Sequence, residues 1–150
     1  MATFKENHYL MIFFVLINTA FFIMMSFVHV YLAMNGHLGR RGILPTLHDG
    51  KPVINPGIVG TFAIAAFLGI CAFITVGSLD IYDAFIPHQV TKYATLVIAI
   101  VFLLRAMGDF NYMGFFKKIK GTHFAKNDSR YFSPLCLFLG LSSLAIVVLH

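Results

Sequence analysis

The chain has 150 residues, of which 59% are hydrophobic and only 11% charged, with a formal net charge of +5 and a mean hydropathy of +0.82. Soluble domains carry about 25% charged residues, so a water-soluble globular domain is excluded, and apolar spans with short connections leave no room for a separate catalytic domain. The basic excess does not mark a nucleic-acid binder, because it is confined to two of the three connections between apolar stretches.

Four apolar stretches follow one another: Leu10 to Leu32, Ile58 to Val76, Val90 to Leu104 and Ser133 to Leu149. Each approaches the roughly 20 residues that a helix needs to cross about 30 Å of hydrocarbon, where the backbone must bond to itself. The predicted fold is all-α, a single integral-membrane four-helix bundle over residues 1–150. Lys5 followed by an apolar run imitates a secretory signal, but the run is too long for an h-region and no small-x-small cleavage site follows. A retained first helix is therefore expected. Asn18, Thr19 and Ser26 interrupt it with polarity, and an amide near mid-membrane predicts a hydrogen bond across a helix interface. His29 stands near its end.

The connection from Asn35 to Pro56 holds Gly36, Gly39, Gly42, Pro45, Gly50 and Pro52, a composition that disfavours a long helix. Asn55-Pro56-Gly57 then gives a helix-start signal for the second span. Within that span Gly60, Ala63, Ala66 and Gly69 recur at three-residue steps, close to the spacing that lets membrane helices approach, and packing inside the bundle is expected of them in preference to a dimer contact. Arg40, Arg41 and Lys51 lie before this span, and Lys117, Lys118, Lys120, Lys126 and Arg130 lie between the last two; the middle connection carries Asp80, Asp83 and His88. By the positive-inside rule both basic connections face the cytoplasm and both termini lie outside.

The third span runs into Arg105-Ala-Met-Gly-Asp109-Phe-Asn111-Tyr112. Arg105 and Asp109 are four apart and would pair on one helical face. Charges at such depth need partners or a route to the headgroups, so His29, Arg105, Asp109, Asn111 and Tyr112, with Ser133 at similar depth, form the candidate ligand site on the cytoplasmic side. A structural clamp between Arg105 and Asp109 is the competing reading. The segment Phe115 to Lys120 interleaves aromatics with Lys117, Lys118 and Lys120, the composition of an interface that attracts anionic headgroups.

Ser133-Pro134 reads as an N-cap and first-turn pair that launches the fourth span. The loop residues Pro45, Thr46, His48, Asp49 and Gly50, and later Gly121, Thr122, His123, Phe124, Lys126 and Asp128, are either a lid over the pocket or ordinary turns. Cys71 and Cys136 fall at different depths, which argues against a disulfide, and no CxxC, HxxxH, GxSxG, HExxH or Walker pattern is present. No metal and no cofactor is expected, and the catalytic residues, if any, are unassigned.

Leu104-Arg-Ala-Met-Gly-Asp-Phe-Asn-Tyr-Met-Gly114, Gly121-Thr-His-Phe-Ala125 and Tyr131-Phe-Ser-Pro-Leu-Cys136, with His29 and Gly42-Ile-Leu-Pro-Thr46, resemble a family of small bacterial four-helix membrane proteins of unknown function. The resemblance covers most of the chain and implies the fold and a bacterial inner membrane. It implies no activity.

Three functions fit these residues: binding or transport of a small anion, proton or lipid headgroup; an accessory subunit of a larger membrane assembly; or a small membrane enzyme acting on a lipid or other amphiphile. Four helices enclose little volume, so a homo-oligomer or larger complex is expected, with membrane lipids as partners and no nucleic acid.

Overall fold

The computed structural model describes residues 2–35, 57–81, 84–108, 114–118 and 123–150. Among these residues there are helices and turns and no strand. Helix α1 is Ala2–Met34, α2 is Gly57–Gly77 and α3 is His88–Met107. A last helical run has three pieces joined without a break: α4 (His123–Asn127), a π-helical turn (Asp128–Phe132) and α5 (Ser133–Leu149).

Four stretches are long and apolar enough to cross a membrane: Lys5–Met34, Gly57–Gly77, His88–Met107 and Ala125–Leu149. No proline interrupts the first three. Pro87 instead precedes α3, its φ of −58° preset and its carbonyl accepting from the Val90 amide. Gly108 closes the same helix with φ of 85°, a value that favours glycine, while its amide donates to Leu104.

The fourth span begins differently from its sequence reading. Ser133 is not an N-cap, because its own backbone is helical at φ −66° and ψ −44°, and the helix already runs from His123. Pro134 has no amide hydrogen to give the preceding turn, and its ring crowds that turn. The wider π turn just before it accommodates this, with the Ser133 amide reaching back five residues to the Asp128 carbonyl.

Helices α1 and α2 pack along one another, as do α3 and α5, and the two hairpins meet mainly through α1 and α5. The core is built from Phe22, Leu68, Cys71, Ala72, Ile98, Phe102 and Leu139, with Phe22 and Phe102 rings 5.2 Å apart. A smaller cluster of Met11, Val15 and Ile146 fills the other end. Outside, large apolar side chains such as Phe27, Val59, Phe73, Val97 and Val148 are exposed. A soluble protein hides such groups, so this surface is the one that faces lipid.

Polar pairs join the helices where lipid offers no water. Asn18, fully buried, donates from Nδ2 to Ser143 Oγ at 3.0 Å and accepts from Ser142 Oγ at 2.6 Å, which ties α1 to α5 as its depth predicts. Ser26 Oγ donates to the Ala65 carbonyl at 2.8 Å, between α1 and α2.

The buried face of α2 is Thr61, Ala65, Leu68, Cys71, Ala72 and Thr75. Ala63 and Ala66 are exposed instead, while Gly69 lies beside Ser26 of α1, so the small-residue series as a whole does not form the buried face. Steps of three drift around a helix of 3.6 residues per turn, and the core followed the row that continues straight. Close approach is needed at Gly140, where an added Cβ would lie 3.0 Å from the Leu103 amide nitrogen and nearer still to its side chain.

Gly140→Leu is therefore expected to separate α3 from α5 and destabilise the protein by about 1–3 kcal/mol in detergent unfolding. Gly69→Ala, whose new methyl meets only Ser26 Oγ at 3.9 Å, is expected to leave the unfolding curve in place.

Candidate functional site

Asp128 is fully buried within the fourth span. An unpaired carboxylate there would cost several kcal/mol, and its oxygens accordingly collect four donors. Arg105 Nη2 donates to Oδ1 at 3.1 Å. The Gly114 amide and Lys117 Nζ donate to Oδ2 at 2.8 Å each, and Ser133 Oγ adds a bond at 3.1 Å.

Each donor is placed by a local feature of the chain. Arg105 sits in the last turn of α3, where a cation also meets the negative end of the helix dipole. The π turn puts Ser133 over Asp128 at a five-residue interval, so side chain and backbone of the pair are both bonded. Gly114 has φ of 84°, and a Cβ there would collide with the Met107 carbonyl and the Gly108 backbone. Only glycine lets the returning chain lie this close to the end of α3, where Phe115 also donates to the Ala106 carbonyl.

The sequence-derived site is regrouped by this geometry. Arg105 is a member, but α3 ends at Met107, and the carboxylate that Arg105 meets is Asp128. Asp109, Asn111 and Tyr112 lie outside the described residues, as does Lys120. His29 Nδ1 donates to the Met25 carbonyl at 2.7 Å within its own helix. Lys117 does not point to the headgroups: its side chain is 2% exposed and ends on Asp128, while Lys118 is exposed. Asp128, expected in a lid or turn, is part of a helix. No spacing rule links it to Arg105, 23 residues away; the only signal was one acidic residue at the edge of an apolar span. Of the two loop sets, Pro45 to Gly50 lies outside the described residues.

Among the described residues the cluster holds two cations and one carboxylate, so one formal positive charge is left over there. Arg105 Nη1 is buried and, among the described residues, has no hydrogen-bond partner. Beside the cluster lies a groove of about 290 Å³ lined by Lys117, Ala125, Lys126 and Ser129. Cys71 and Cys136 are both free thiols packed in or against the apolar core.

A bundle of four spanning helices, closed at one end by a buried carboxylate with two cations, defines a polytopic helical membrane protein with a charged cap. The chain belongs to the family described as Protein of unknown function (DUF3995), which matches residues 22–143 and so includes every member of the Asp128 cluster. No curated protein and no solved structure matches the chain.

Asp128→Asn removes the charge that neutralises Lys117 and is expected to cost about 3–5 kcal/mol, since it strands a buried ammonium. Arg105→Ala leaves the Lys117 to Asp128 pair intact and removes a partly exposed partner, with an expected loss of about 1 kcal/mol. Folded yield and thermal unfolding in detergent measure both.

Proposed function

We propose that this end of the bundle binds an anionic group of the phosphate or carboxylate class, as a lipid headgroup or a small free anion, on the cytoplasmic side of a bacterial inner membrane. The observation that carries the reading is that, among the described residues, the Asp128 cluster has an unbalanced positive charge and the buried Nη1 of Arg105 has no partner. A guanidinium presents its donors in a fixed fork, and here one arm is taken by Asp128 while the other meets no acceptor among the described residues.

The adjoining groove supports the same chemistry. Lys117, Lys126 and Ser129 supply its polar wall, and its volume of about 290 Å³ falls just below the roughly 300–1,000 Å³ of ligand pockets. That volume suits a headgroup or small anion better than a whole amphiphile. The cytoplasmic assignment rests on the basic connections, and a reporter active only in the cytoplasm is expected to stay silent when fused after His150.

Native mass spectrometry of gently extracted protein tests the binding. Wild type is expected to retain an anionic species that Arg105→Ala loses. Adding inorganic phosphate to delipidated wild type separates the sources: uptake at one per chain indicates a free anion, and retention of anionic phospholipid alone indicates a headgroup. Equal retention by wild type and Arg105→Ala overturns the proposal.

A further inference from the structure

At the opposite end of the bundle, three potential metal ligands from separate segments converge. Asp80 lies in the turn after α2, His88 is the first residue of α3, and His150 follows α5. His88 Nδ1 is 2.9 Å and His150 Nε2 is 3.2 Å from the same oxygen, Oδ1 of Asp80. The ligand atoms of all three residues lie within 4.8 Å of one another. The two imidazole rings stack with centroids 3.9 Å apart at 27°.

We infer that Asp80, His88 and His150 bind one divalent transition-metal ion of the zinc class, leaving a coordination position to solvent. Bonds of about 2.0–2.1 Å to imidazole nitrogen and carboxylate oxygen in a tetrahedron set ligand separations of about 3.3–3.4 Å. The two nitrogen–oxygen distances are already close to that edge, and the ion enters when the stacked imidazoles rotate until both ring planes meet at it. Two imidazoles and a carboxylate select zinc, cobalt, nickel or copper over magnesium and calcium, which prefer all-oxygen shells.

Metal ligation uses neutral imidazole and ionised carboxylate, and both rings already converge on the one carboxylate oxygen. Asp80 also holds φ of 60°, a left-handed value that a residue bearing a Cβ seldom adopts, which turns the carboxylate carrier back toward both histidines.

The probe is cobalt(II), titrated into tag-free, chelator-treated full chain in detergent. One cobalt per chain with the visible absorption of a tetrahedral site is expected, displaced by one equivalent of zinc. His88→Ala and His150→Ala should each weaken binding by more than the about 10–100-fold lost with an outer-shell partner; His8→Ala, exposed at the same end, should not. Because either alanine can also loosen the bundle end, X-ray absorption on zinc-loaded wild type gives an independent reading. A nitrogen and oxygen shell at about 2.0–2.1 Å with the outer scattering of two imidazoles supports the site. Failure to bind one equivalent, a shell without imidazole, or equal affinity in folded His88→Ala and His150→Ala protein overturns it.

Discussion

A carboxylate sealed inside a membrane helix must be surrounded by donors, and Asp128 imposes that condition on everything near it. Lys117 gives up the interface to reach it, and Arg105 turns inward from the end of α3. Gly114 brings backbone where a side chain would collide, and the π turn carries Ser133 into range. These contacts join α3, the returning chain and the last helix across sequence separations of 5 to 23 residues. Without the carboxylate, two cations would have to be accommodated in the same volume.

Elsewhere the bundle is held by means suited to hydrocarbon. Apolar surface cannot drive helices together when the solvent is as apolar as the side chains, so close packing and interhelical hydrogen bonds take over. Asn18 with Ser142 and Ser143, Ser26 with Ala65, and Ser78 with Thr95 form such a seam. Gly140 against Leu103 provides the close approach. The result is a hydrogen-bonded, closely packed midsection with polar groups gathered at both ends: a cationic cluster at one, and a carboxylate with two histidines at the other.

The parts legible in the sequence are those with a local physical signature. Arg105 was found because a cation at the end of an apolar span demands a partner, and Asn18 because an amide at mid-depth does. Asp128 was only one of several polar loop residues, since its partners are distant in the chain. His150 carried no signal, because the ligand set it completes spans 70 residues. The Ser133-Pro134 pair misled because the same dipeptide that starts a helix also fits behind a π turn, and only the register of the preceding residues separates the two.

Sequence by itself determined the solvent, the number of spans and the fold class, because hydrophobic length and the need to bond the backbone leave a membrane helix few alternatives. Tertiary structure alone decided which face of α2 is buried, which carboxylate neutralises Arg105, and that Lys117 points inward. Those choices rest on distances between helices, and pairing energies that depend on a few ångströms of separation and on exclusion of water are written nowhere in local composition.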